Sequence, residues 1–77
     1  MKVSEFLRMM PVAWRKGQQV RLDLVLEDNH VATMEGDAPW IIQHLPTVYD
    51  MPVQEFHTVV AYNDGKPVSV LCIGAWS

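Results

Sequence analysis

The chain has three histidines, the residue type most often used for metal binding or acid–base catalysis near neutral pH. His30, His44 and His57 are 14 and 13 positions apart, on a predicted turn, helix and strand. Helical and zinc-finger ligand pairs need histidines within about five residues of each other. We expect ordinary surface or partly buried histidines and no metal site, although the fold could still gather them with Asp28 or Asp50.

Cys72 is the single cysteine, which excludes an internal disulfide and a zinc site made of several thiolates. It lies inside a predicted strand, where a small core residue is the usual role. His57 would stand opposite Cys72 if Tyr62 faces Pro67, but no orienting acid or oxyanion donor is recognisable. We expect a protein that is not an enzyme, and an enzyme that uses Cys72 or the histidines is the weakest hypothesis.

Acidic residues and glycines stand mainly at predicted turns. The pairs Glu27-Asp28 and Glu35-Gly36-Asp37 can approach each other across a hairpin, but neither has the spacing of a calcium loop. The four glycines stand singly, so no glycine-rich phosphate loop is present. The sequence predicts no cofactor.

Large side chains are frequent for 77 residues: three tryptophans, two tyrosines and five methionines. These residue types are enriched at protein interfaces, and so small a domain cannot easily bury all of them. Core packing is the first explanation for any single tryptophan. The exposed remainder gives the candidate partner-binding residues, which are Trp14, Trp40, Tyr49, Met51 and Trp76.

Length and charge limit the class of protein. The chain allows one domain over 1–77, whose core barely offsets the conformational entropy of folding, so we expect a homodimer. Six basic residues are scattered and the formal net charge is −3, which disfavours nucleic-acid binding. No run approaches the roughly 20 apolar residues of a membrane span. We therefore expect no membrane partner and a cytoplasmic location.

The first half of the chain predicts a helix and a hairpin. Apolar spacings of three and four, with Ser4 as N-cap, indicate a helix over 4–10, and proline at position 11 breaks it before a possible restart over 11–16. Alternation from Val20 to Leu26 indicates a half-buried strand. A turn at 28–30 then leads into a shorter returning strand over 31–35.

The second half predicts a short helix, a crossover and a second hairpin. Asp37 as N-cap and Pro39 in the first turn begin the helix, which ends at Pro46. Segment 46–54 either lies over the sheet or presents Tyr49 and Met51 to a partner. Strands over 56–62 and 68–73 then flank the turn 63–66, read as a type I turn followed by left-handed Gly65.

The strand over 68–73 is apolar on both faces. It is therefore expected to be central in its sheet or to pair with another chain, because an exposed edge of this kind invites association.

The opening of the chain resembles a loose group of small uncharacterised phage and prophage proteins. These begin Met-Lys-Val-Ser-Glu, run a short amphipathic helix to a proline and enter a valine-rich acidic strand. The matching residues lie within the first third of this chain: Met1 to Leu7, Pro11 and Val20 to Asp28. Residues 12–17 depart from the shorter acidic link of that group. The resemblance implies an origin in a mobile element and no shared biochemical role.

These observations predict an α+β fold, with a four-stranded antiparallel sheet from two hairpins and two short helices on one face. The leading functional hypothesis is a non-enzymatic small binding protein, a phage or prophage accessory protein that binds and inhibits a host protein. The alternative is a small-ligand-binding or sequestering homo-oligomer with an aromatic pocket at a subunit interface.

Overall fold

The computed structural model describes residues 1–11 and 18–77. Within them the chain forms α1 (Val3–Met9), β1 (Gln19–Val25), β2 (Val31–Gly36), α2 (Ala38–His44), β3 (Val53–Asn63) and β4 (Lys66–Ala75). Single 3-10 turns lie at Glu27–Asn29 and Thr47–Tyr49. The predicted α+β class, both hairpins and both short helices are confirmed.

The four strands form one sheet in the order β2-β1-β4-β3. Each hairpin is antiparallel internally, but β1 and β4 run parallel, with Val20 beside Leu71 and Leu22 beside Ile73. The sheet is therefore mixed, and the prediction of a purely antiparallel sheet was wrong at this junction. The connection from β2 to β3 contains α2, so it is long enough to cross one face and deliver β4 parallel to β1.

Strand β4, which has apolar side chains on both faces, lies inside the sheet between β1 and β3. Of the two roles that the sequence allowed for residues 68–73, the structure shows the central one. Both edges of this strand are paired with neighbouring strands, so its two-faced apolar pattern leaves no open edge.

One face of the sheet carries the core. Val20, Leu22 and Leu24 of β1 lie beside Leu71, Ile73 and Ala75 of β4, and all six side chains are buried. Both helices cover this face through a shared set of buried residues: Val3, Phe6 and Leu7 of α1 with Ala38 and Ile41 of α2. The predicted placement of both helices on one face is confirmed.

Local capping sets where the helices begin. The backbone N–H of Trp40 donates to Oδ1 of Asp37 at 2.9 Å, which confirms Asp37 as the N-cap of α2. Helix α1 instead begins after Lys2. Ser4 was wrongly predicted as its N-cap, because its hydroxyl is hydrogen-bonded to Asp50. The possible helical restart over 11–16 lies outside the described residues, apart from Pro11.

The turn between β3 and β4 is a two-residue type I′ turn, since Asp64 and Gly65 have φ of 53° and 77°. This corrects the predicted turn type, which placed only Gly65 in the left-handed region. Two-residue turns of the primed type match the right-handed twist of paired strands, which accounts for the difference.

The β3–β4 hairpin extends beyond the end of β1. Strand β1 pairs with β4 only from Val70 to Ala75, whereas β3 and β4 stay paired out to Asn63 and Lys66. We call residues 60–69, which extend past the end of β1, the arm.

Candidate functional site

A groove lies at the end of the sheet opposite the arm, where β1 and β4 both finish. Its volume is about 870 Å³. It is formed by the turn after β1, the segment before β3 and the residues after β4. The lining residues are Val25, Leu26, Glu27, Asp28, Asn29, His30, Val48, Tyr49, Met51, Trp76 and Ser77. We call it the Trp76 groove.

Three of the predicted partner-binding residues meet in the Trp76 groove: Tyr49, Met51 and Trp76. Backbone hydrogen bonds hold them in place. The N–H of Trp76 donates to the carbonyl of Pro52 at 3.2 Å, and the N–H of Val3 donates to the carbonyl of Met51 at 3.1 Å. Nε2 of Gln54 also donates to the carbonyl of Trp76 at 2.7 Å. These bonds make one wall from segments far apart in the sequence.

The opposite wall of the groove is polar and comes from the turn between β1 and β2. Asp28 and Asn29 have φ of 64° and 58°, a left-handed conformation that Asp and Asn adopt more readily than most side chains do. The N–H of Leu26 closes the turn by donating to the carbonyl of His30 at 2.7 Å. Glu27 and Asp28 are exposed and both line the groove, so this wall is acidic.

Trp40, another predicted partner-binding residue, is not in the groove. Trp40 lies on α2, where its ring stacks on His44 with centroids 4.2 Å apart. Nδ1 of His44 donates to the carbonyl of Trp40 at 2.9 Å. Gly36 lies under the same ring, since a Cβ there would be 2.9 Å from Cε3 of Trp40. Trp14 is outside the described residues.

A second exposed surface follows β3, the edge strand of the sheet, and sequence reasoning missed it. Four large apolar side chains of β3 are exposed: Phe56 (55%), Val59 (41%), Val60 (63%) and Tyr62 (75%). Phe56 has partial cover from Phe6, whose ring centroid is 4.8 Å away. The run 58–62 is apolar or weakly polar on both faces, as β4 is, so the sequence marks both strands of the hairpin alike. The strand order separates them, because β4 is central and β3 is the edge.

In the described part of the chain, the side chains with catalytic or metal-binding chemistry do not form a metal cluster. Within residues 1–11 and 18–77, no three His, Cys, Asp or Glu side chains lie close enough together to hold a metal ion. Tyr62 faces Pro67 and His57 faces Cys72, as the predicted register requires. Arg21 is beside Cys72 on β1, but its Nε lies 3.6 Å from Oδ1 of Asp23.

Neither described helix reaches the length and apolar character of a membrane crossing, since α1 and α2 have seven residues each.

Comparison with protein-family models, with curated proteins and with solved structures returns no match.

Proposed function

We propose that this chain is a non-enzymatic protein-binding module whose partner docks in the Trp76 groove. The observation that carries the proposal is the convergence of Tyr49, Met51 and Trp76 from two separate parts of the chain onto one concave surface. Aromatic and methionine side chains in such a position are typical of the centre of a protein interface.

The chemistry of the groove indicates the kind of segment it binds. One wall offers aromatic and aliphatic surface, and the other offers the carboxylates of Glu27 and Asp28. A matching segment inserts an apolar side chain against Trp76 and places Lys or Arg beside the acidic turn, because complementary charges fix orientation at an interface. Val48 stands at the lip of the groove and is 79% exposed, where it would contact such a partner.

In a phage or prophage accessory protein, this groove would bind a host protein in the cytoplasm and inhibit it. The support for that setting is the resemblance of the opening residues, Met1 to Leu7, to small phage proteins. The groove itself supports binding to a protein and is neutral as to the source of the partner.

Affinity capture from a bacterial lysate tests the proposal when it compares charge-matched variants. Val48→Asp adds a carboxylate at the groove lip, and Gln43→Asp adds one on the exposed face of α2. We expect one saturable protein partner on the wild type and on Gln43→Asp, lost from Val48→Asp. Equal capture of that partner by both variants would rule out the groove as its binding site.

A second candidate function is binding of a small ligand, in a sequestering homo-oligomer. The groove volume favours it, since about 870 Å³ is within the range of small-molecule sites, roughly 300–1,000 Å³. The exposed polar wall favours a protein partner instead, because small-molecule sites enclose most of the ligand surface. A metabolite that raises the melting temperature of the wild type but not of Trp76→Ala, with no protein captured, would support this candidate.

A further inference from the structure

Among the residues that the structure describes, the outer edge of β3 is covered only at its base. The N–H of Val53 donates to the carbonyl of Met1 at 2.8 Å, and Lys2 forms a bridge with Pro52. A register irregularity follows between Val53 and Glu55. From Glu55 to Asn63, no strand among the described residues pairs with the outer side of β3.

The register of the hairpin determines which backbone groups point outward from β3. Asn63 and Lys66 flank the two-residue turn and form a hydrogen-bonded pair, so the alternate pairs of the ladder are not hydrogen-bonded. Val60 faces Ser69, and the carbonyl of Ser69 accepts from Nε2 of Gln18 on the side away from β3. Every second residue of β3 belongs to a non-hydrogen-bonded pair, like Val60, and its backbone N–H and C=O groups point outward. These residues are Phe56, Thr58, Val60 and Tyr62.

Within residues 1–11 and 18–77, this edge lacks the features that normally prevent strand pairing. Edge strands are usually protected by proline, lysine, a bulge or a covering segment. Residues 56–62 contain neither proline nor lysine, and the one irregularity of β3 lies before Glu55. Both faces of the same stretch expose large apolar side chains, including Val59 and Tyr62.

We propose that a second copy of this chain occupies the edge, with the two β3 strands antiparallel and Val59 on the two-fold axis. Val59 then faces Val59 of the second copy, Thr58 faces Val60, and Phe56 faces Tyr62. The two sheets join into one of eight strands through about eight hydrogen bonds between the four outward-pointing residues of each copy. The interface is isologous, since the same surface is used twice.

The side-chain pattern of β3 favours this register. Each Phe56 faces a Tyr62, and such cross-strand aromatic pairs stabilise antiparallel strands. A register shifted by two residues towards the turn would place Phe56 opposite Asp64, and the opposite shift would place Tyr62 opposite Gln54, where the ladder of β3 is irregular. Neither shifted register keeps both aromatic pairs.

The charged residues near both ends of β3 also favour pairing with a second copy. Glu55 faces Asn63 of the other chain, whose cross-strand neighbour is Lys66. Glu55 and Lys66 are then on the same face, two strands or about 10 Å apart, a distance that their extended side chains can span. The two-fold symmetry repeats this contact, and no two residues of like charge face each other across the paired β3 strands. Rim pairs of this kind set orientation more than they add affinity.

The dimer interface is separate from the Trp76 groove. None of residues 55–63, which form the proposed interface, lines the groove. The two proposals rest on different residues, and either can fail without the other.

A charge-swap experiment at Val59 tests the proposal, because this residue would face itself. Sedimentation equilibrium is measured from low to several hundred micromolar for the wild type, Val59→Lys, Val59→Glu, their equimolar mixture and the neutral control Val59→Thr. Circular dichroism checks that each is folded. We expect dimers for the wild type and Val59→Thr, monomers for each charged variant alone, and a heterodimer in the mixture.

Two results would overturn the proposal. One is a wild type that stays monomeric at several hundred micromolar, whether or not its edge takes a strand from another protein. The other is a wild-type dimer whose charged variants dimerise alone as well as they do when mixed, which would place Val59 away from the two-fold axis.

Discussion

The carboxylate of Asp50 accepts two hydrogen bonds from Ser4, one from the backbone N–H at 2.9 Å and one from the hydroxyl at 2.5 Å. These bonds join the first turn of α1 to the segment that carries Tyr49 and Met51. One wall of the Trp76 groove therefore depends on a contact between residues 46 positions apart.

Replacing Asp50 by Ala removes both hydrogen bonds at a part-buried position. We expect the free energy of unfolding to fall by about 2 kcal/mol, since bonds to a charged acceptor are worth more than neutral ones. Ser4→Ala is the matched control and should lose about 1 kcal/mol, because its N–H still reaches Asp50. Urea denaturation measures both values, and a loss below about 0.5 kcal/mol for Asp50→Ala would contradict the contact.

The ring pair Phe6 and Phe56 connects α1 to the edge strand, with centroids 4.8 Å apart and an interplanar angle of 54°. We expect a coupling of about 0.5–1.5 kcal/mol in a double-mutant cycle with Phe6→Leu and Phe56→Leu. Leucine keeps the apolar volume, so each single variant should remain folded. If the losses of the two single variants sum to the loss of the double variant within about 0.3 kcal/mol, the rings are not in contact.

Capping of α2 by Asp37 gives a local prediction. Asp37→Ala removes the acceptor for the N–H of Trp40 and should cost about 1 kcal/mol of unfolding free energy, whereas Asp37→Asn should cost little because Asn caps equally well. Thermal or urea unfolding of the two variants makes the comparison. If Asp37→Ala and Asp37→Asn lose the same unfolding free energy, the carboxylate does not act as an N-cap.

Amide exchange along β3 should alternate between residues in the monomer. In the monomeric Val59→Lys variant we expect fast exchange at Phe56, Thr58, Val60 and Tyr62, whose N–H groups point outward, and slow exchange at the residues between them. In the wild type at high concentration, the four outward amides should become protected by at least about tenfold. NMR-detected hydrogen exchange reads each amide separately. Slow exchange of all amides in the monomer would mean that the edge is already covered.

Much of the fold could be predicted because its signals are local. The alternation of β1, the turn at 28–30, the cap at Asp37 and the glycine-containing hairpin turn each depend on neighbouring residues. The cap of α1 could not be predicted, since Ser4 is hydrogen-bonded to Asp50 instead. The parallel pairing of β1 with β4 was also missed, because strand order depends on contacts far apart in sequence.

The candidate site was only partly predictable for the same reason. Residue type alone selected Tyr49, Met51 and Trp76, but their meeting in one groove depends on where the ends of β1 and β4 lie. Trp40 has the same residue-type signal and instead stacks on His44. The exposure of the β3 residues could not be predicted, because an apolar edge strand and an apolar central strand have the same sequence pattern.

The central claim is that the Trp76 groove binds a partner protein, and site-specific photo-crosslinking in bacterial cells tests it most directly. A photo-reactive residue is placed at Val48 on the groove lip or at Gln43 on α2, both exposed in the structure. We predict one dominant crosslinked protein from position 48 that is absent from position 43, and loss of that product when Trp76→Ala is added. The same set of crosslinked products from both positions, or a product from position 48 that persists in Trp76→Ala, would contradict the claim.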